Sequence, residues 1–154
     1  MRTTAVAGLA AAAALALGAA AARAEILVES GPLPKVTMER LLLVDATHRG
    51  SRVVAVGDRG YIVLSDDNGK TWRRAKSPPA PLLTAVEFLD AKRGWAVGHD
   101  SVILATADGG ETWTRQFEAA AEQRPLLDVL FVDENTGYAI GAYGAFYETA
   151  DGGK

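Results

Sequence analysis

The sequence predicts an all-β fold, a β-propeller built of four-stranded antiparallel blades. Two independent markers recur at the same step: Gly57, Gly98 and Gly141 are 41 and 43 residues apart, and so are Asp67, Asp108 and Asp151. A period in the low forties suits either a propeller blade or a helical repeat. Each unit, however, is made of short apolar runs rich in Val, Ile, Tyr, Phe and Trp, divided by Gly, Asp and Asn, which is strand and turn chemistry. After Ala24 no stretch sustains a helical apolar stripe without Gly or Pro, apart from a short turn at Phe117 to Gln123.

The chain begins with a segment of a different character. Thirteen of the first 24 residues are Ala, and the block holds only two charges, Arg2 and Arg23. Arg2 supplies a positive start, Ala5 to Leu17 an apolar run, and Ala22-Arg23-Ala24 a small-x-small cleavage site, so residues 1–24 read as a secretory signal peptide. Export places the mature chain in the periplasm, or in a thylakoid lumen if the source is photosynthetic. Without this block, fourteen basic and nineteen acidic side chains remain and the formal charge is −5. That balance lacks the basic excess of a protein whose main partner is nucleic-acid phosphate. With no Cys, disulfides, thiolate metal sites and a cysteine nucleophile are excluded.

Residues 25–40 form a short lead, and 41–154 divide into blades at 41–82, 83–125 and 126–154. In the middle blade the four strands are expected at about Leu83–Leu89, Gly94–Val97, Ser101–Thr106 and Thr112–Gln116. Their near-continuous hydrophobicity fits sheets covered on both faces by neighbouring blades. The third unit stops at Lys154, just before the Thr-Trp present in the other two, so it is read as truncated. About 2.7 blades cannot close a ring that typically has four to eight. The expectation is therefore an N-terminal fragment of a longer propeller.

Each unit carries Ser/Thr-x-Asp-x-Gly, followed in the first two by x-Thr-Trp at the same spacing: Ser65, Asp67, Gly69, Thr71 and Trp72; Thr106, Asp108, Gly110, Thr112 and Trp113; Thr149, Asp151 and Gly153. This is an Asp-box. Its Asp can accept amide hydrogen bonds from its own tight turn, Gly69 and Gly110 can take positive φ, the Thr opens the outgoing strand, and the indole plugs the space beneath. Because catalytic groups rarely recur identically in every unit, these carboxylates are read as structural rather than as catalytic or calcium-binding groups.

The pairing of Trp/Tyr/Val-Ala-Val/Ile-Gly with a following Asp-box, as at 94–98 and 136–141, resembles the photosystem II assembly and stability factor family of sialidase-type (BNR) repeat propellers. The resemblance covers about Leu41 to Lys154. It implies a seven-bladed, non-catalytic, lumenal or periplasmic propeller that binds protein and assists assembly or stability of a membrane complex, with no cofactor. In that family an arginine-rich surface engages the partner. Here Arg73, Arg74 and Arg115 are the candidate basic edge for docking an acidic or membrane-protein segment. The same arginines also suit a solvated outer strand protected against edge pairing.

The competing class is a secreted glycoside hydrolase, sialidase-like or xyloglucanase-like, on the same scaffold. Such an enzyme needs two carboxylates at a set separation. Asp45, Glu87, Asp90, Asp100, Asp128, Asp133 and Glu134 offer many pairs but no way to choose among them, and the Arg-Ile-Pro-like stretch of sialidases is absent. His48 and His99 occupy non-equivalent positions without metal-ligand spacing, so no catalytic or metal site is assigned. Gly57–Gly60 and Gly141–Gly144 are hairpin turns rather than phosphate loops, since the strand-to-helix context is missing.

Overall fold

The computed structural model describes residues 30–33 and 35–154. The expected export signal at 1–24 lies outside the described residues. Strand β1 (Gly31–Pro32) and a one-turn helix, α1 (Lys35–Met38), precede β2 (Leu43–Arg49), β3 (Arg52–Gly57), β4 (Ile62–Ser65) and β5 (Arg73–Arg74). The middle unit holds β6 (Leu83–Phe88), β7 (Gly94–Gly98), β8 (Ile103–Thr106) and β9 (Thr114–Phe117), and the last holds β10 (Leu126–Phe131), β11 (Gly137–Gly141) and β12 (Phe146–Thr149). The described residues make three antiparallel sheets, ordered β1-β5-β4-β3-β2, β6-β7-β8-β9 and β10-β11-β12. The first strands β2, β6 and β10 lie side by side, so the sheets stack as blades of a β-propeller.

Two departures from the four-strand plan have local causes. The lead segment supplies a fifth strand to the first sheet, pairing Gly31 with Arg74 and Pro32 with Arg73. Proline is tolerated there because β1 is an edge strand and needs no outward N–H. The outgoing strand of the middle blade starts at Thr114, not Thr112, because the Thr112 N–H turns back to Asp108 Oδ1 at 2.9 Å. The expected turn near 117–123 is present as a single 3-10 turn at Ala120–Glu122.

Packing between blades repeats with the sequence. One buried cluster joins the first sheet to the second through Val54, Val56, Ile62, Leu64, Phe88, Leu104 and Trp113, among others. A second joins the middle sheet to the third, with Trp95, Val97, Leu126, Val129, Phe131 and Ala139 buried and Ile103, Ala105 and Tyr147 packed against them. Shifted by the repeat step, members of the first cluster map onto the second: Val54 onto Trp95, Leu64 onto Ala105, Phe88 onto Phe131, Leu104 onto Tyr147. Trp113 is fully buried, its ring 6.0 Å edge-on from Phe88. Trp95 instead lies flat on Phe131, centroids 3.4 Å apart at 7°. Volume lost from Leu to Ala at one position is offset by the Val-to-Trp exchange at another.

The recurring glycines answer to sterics. A Cβ on Gly57, Gly98 or Gly141 would lie 2.0, 2.1 or 2.0 Å from the carbonyl oxygen of Leu42, Leu82 or Pro125, respectively. At each place the first strand of the blade has a register irregularity, between Leu43 and Asp45, Leu83 and Ala85, and Leu126 and Asp128. The bulge presses the chain entering the blade onto the glycine, and the same carbonyl accepts the next N–H, as from His99 to Leu82 at 2.9 Å.

Candidate functional site

The Asp-box turns lie at the end of each blade where the third strand leaves. In the first, Asp67 Oδ1 accepts the N–H groups of Lys70 and Thr71 at 3.0 and 2.8 Å, and Oδ2 accepts the Thr71 hydroxyl at 2.6 Å. The Ser65 hydroxyl donates to Asp67 at 2.8 Å and accepts the Gly69 N–H at 2.7 Å. The second turn repeats this pattern with Thr106, Asp108, Gly110 and Thr112, and the third with Thr149, Asp151 and Gly153. Gly110 takes φ +91°, a conformation closed to most side chains. Donors from the Thr71 hydroxyl, the Thr71 N–H and Ser65 hold the Asp67 carboxyl far below the usual range. At Asp108 burial opposes ionisation, but the Thr112 N–H and the Thr106 hydroxyl outweigh it and its carboxyl also stays low. Carboxylates so engaged in their own turns are poor proton donors at neutral pH.

The indoles differ. The N–H of Trp113 donates to Gly110 O at 2.8 Å inside the core, whereas Trp72, with the corresponding bond to Gly69 O at 3.1 Å, is only half-buried. Trp72 sits on the outer side of the first sheet, where no further blade is described.

The three arginines of the basic edge have distinct surroundings. Arg73 grips Glu111 of the next blade through two bonds of 2.6 Å and reaches Asp66 at 2.9 Å. Arg52 completes a four-member network, 2.7 Å from Asp66 and 3.0 Å from Glu111. Arg74 lies over the Tyr61 ring, 4.0 Å from its centroid. Arg115 pairs with Glu118 at 2.6 Å and donates to the Pro79 carbonyl. Thus Arg73 and Arg115 are countered by acids of this chain, and the edge is a mosaic rather than a bare cationic patch. At the next junction Ala107, Thr114 and Lys154 stand where Asp66, Arg73 and Glu111 stand here, and Arg93 turns to Asp90 and Glu134.

A set of contacts invisible in the repeat pattern joins the inner strands. Asp45 Oδ2 accepts the Val86 N–H and Glu87 Oε2 accepts the Phe131 N–H, both at 2.9 Å. The Thr84 hydroxyl donates to Leu126 O at 2.6 Å, and Arg49 donates to the Phe88 carbonyl. Burial pushes the Glu87 carboxyl above its ordinary value, and the nearby Asp128 charge adds to this while the Phe131 N–H opposes it. Two carboxylates from the pool open to a hydrolase are therefore bound to backbone of the neighbouring blade. Two of the other candidates serve turns: Asp90 accepts the N–H groups of Arg93 and Lys92, and Asp133 those of Thr136 and Asn135, while Glu134 pairs with Arg93. His48 and His99 are exposed on β2 and in the β7–β8 turn, and the described residues hold no metal-competent cluster of three His, Cys, Asp or Glu.

No protein-family model matches the sequence. Among curated proteins, the photosystem II stability/assembly factor HCF136, chloroplastic, of Cyanidioschyzon merolae (strain NIES-3377 / 10D) is 30% identical over 97 residues, covering 58% of this chain and 22% of that relative. Its Arabidopsis thaliana counterpart is 32% identical over 71 residues, covering 42% and 17%. The matched stretch thus spans about a fifth of the length of these relatives. Among solved structures, YCF48 bound to D1 peptide superposes with a TM-score of 0.66 at 23% identity, over 82% of this chain and 41% of that one. YCF48 from Cyanidioschyzon merolae does so at 0.61, with the same identity and coverage. The propeller fold is shared.

Proposed function

Starting from homology to photosystem II stability/assembly factors, we propose that this chain is part of an exported, non-catalytic propeller that binds a membrane-protein segment and assists assembly or stability of its complex. The observation that carries the reading is the shared blade architecture with a propeller solved bound to D1 peptide. No helix among the described residues is long and apolar enough to cross a membrane. The compartment we propose is the periplasm or a thylakoid lumen, reached through the signal at residues 1–24.

The contact we propose is the basic edge of Arg73, Arg74 and Arg115. The Arg115–Glu118 pair is partly solvent-accessible, and such surface pairs contribute only about 0–1 kcal/mol. A partner carboxylate can therefore compete with Glu118 at small cost, while Arg73 stays held by Glu111 and Asp66. The test is titration of a labelled D1 peptide with this chain by fluorescence anisotropy, alongside the variants Arg74→Glu and Arg115→Glu. Saturable binding weakened by charge reversal and by added salt is expected. Undiminished binding by both variants would remove the edge from the proposal. Turnover of a fluorogenic glycoside panel would instead favour the hydrolase.

A further inference from the structure

We propose that Asn68 is a chemical modification site of the first blade, converted spontaneously to aspartate and isoaspartate, and that the Ser65 hydroxyl sets the rate of this conversion. The chain has two asparagines, Asn68 and Asn135, and both are exposed. Asn68 precedes Gly69, which has no Cβ to obstruct ring closure onto its nitrogen. Asn135 precedes Thr136, whose branched side chain crowds that approach and whose N–H is held by the Asp133 carboxylate at 2.7 Å. Asn68 lies at the tip of its Asp-box turn with φ +58°, a left-handed conformation that asparagine tolerates. The other two boxes hold Gly109 and Gly152 at this place, so of the three turns only the first carries the amide.

Water is the only co-reactant. Hydroxide takes the Gly69 N–H proton, the nitrogen bonds to Asn68 Cγ, and the side-chain amide nitrogen takes up a proton and leaves as ammonia. Water then opens the resulting succinimide. Cleavage between Gly69 N and Cγ gives aspartate, and cleavage between Gly69 N and the Asn68 main-chain carbonyl carbon gives isoaspartate. In the folded turn that nitrogen is occupied, because its N–H donates to Ser65 Oγ at 2.7 Å. Ser65 is buried, and the Asn68 N–H is tied to Ser51 O at 3.1 Å, so both flanks of the reacting step are held. Isoaspartate routes the main chain through Cβ and Cγ, which draws the N–H groups of Lys70 and Thr71 away from Asp67. Either product also sets a new negative charge beside Asp66 and Asp67. The first Asp-box, and the network of Arg52, Asp66, Arg73 and Glu111 that adjoins it, therefore loosen as the protein ages.

The test is peptide mapping by mass spectrometry of the full chain incubated in mildly alkaline buffer, with isoaspartyl methyltransferase labelling to count the isoaspartate. Asn68 should convert while Asn135 stays intact. Ser65→Ala should speed the conversion about fivefold, the factor equivalent to one hydrogen bond of about 1 kcal/mol. Ser65→Thr restores the hydroxyl that Thr106 and Thr149 supply in the other boxes, and should return the rate to that of the parent chain. Asn68→Gly should abolish the labelling. Far-UV circular dichroism at the start of each incubation, together with the Thr variant, separates this effect from unfolding of the blade. Asn135 converting as fast as Asn68, an Asn68 that stays intact in Ser65→Ala, equal rates in Ser65→Ala and the parent, or a Thr variant as fast as the Ala variant would each overturn the proposal.

Discussion

Replacing Gly98 by Ala isolates a purely steric constraint. Gly98 has φ −170°, extended backbone that alanine adopts freely, so left-handed strain plays no part. The added methyl, however, would sit 2.1 Å from Leu82 O and 2.9 Å from Leu83 Cα, both main-chain atoms. Relief requires the strand entry to retreat by more than an ångström. That movement sacrifices the His99-to-Leu82 bond and disturbs the Leu83–Gly98 pairing. Overpacking costs about 1–3 kcal/mol and each lost hydrogen bond about 1 kcal/mol, so a loss of about 3–4 kcal/mol is expected. In urea with an m-value of about 1–3 kcal/mol/M this moves the midpoint down by one to several molar, or leaves the chain unfolded, given total stabilities of about 5–15 kcal/mol. Two controls frame the measurement. Gly144→Ala, with φ +73° and open space around the Cβ, should cost about 1–2 kcal/mol from left-handed strain alone. Gly31→Ala, unobstructed and without positive φ, should be near neutral. A Gly98→Ala midpoint at or above that of Gly144→Ala, measured by far-UV circular dichroism, would refute the close-approach argument.

Three further outcomes are expected. Trp113→Ala should cost about 3–5 kcal/mol in urea unfolding, and Trp72→Ala less than half as much, because only the first indole is fully buried. Acid titration followed by circular dichroism should show stability that is complete above the ordinary Asp value of 3.8 and falls as pH drops through the depressed folded-state values, about 2 at Asp90; Asp108→Asn should flatten that acid arm. Glu87→Gln should raise the thermal midpoint at pH 7 by the equivalent of ~0.5 kcal/mol after allowance for solvent screening, since the amide oxygen can still accept the Phe131 N–H without a buried charge. The folded-state pKa of Glu87 is raised, so this gain should shrink as pH falls through that raised value towards the ordinary Glu value of 4.5 and be gone below it; a gain that grows in acid would contradict the burial argument.

Strand content and blade order were readable because they depend on local chemistry: β-rich runs between Gly and Asp, repeated at one step. In the middle blade the expected strands differ from the observed ones by at most two residues at each end. The shifts fall where side chains compete for backbone, as Asp108 does for Thr112, or where Ser101 takes φ +54° and stays outside β8. The pairing of β1 with β5 was not legible, since two residues carry no periodicity and their partner lies about forty residues away. Likewise, Arg73, Arg74 and Arg115 share a sequence pattern but not surroundings. Glu111, the partner of Arg73, depends on how blades meet, which a repeat register alone does not specify, whereas Tyr61 and Glu118 lie in the same blade as Arg74 and Arg115. The bridging roles of Asp45 and Glu87 were hidden for the same reason. Acids on otherwise apolar inner strands were the available clue.

The stitch at the outer rim has a consequence for how the molecule transmits disturbance. Lys76 donates its N–H to Glu111 O and accepts that of Trp113, both at 2.8 Å, so the tail of one blade is woven into the corner of the next. Together with the inner bridges from Asp45 and Glu87, every blade is fastened at its hub and, at this junction, at its rim, always to an immediate neighbour. Such an array behaves as a one-dimensional chain with nearest-neighbour coupling. Loosening of one blade therefore passes first to its immediate neighbour, one junction at a time.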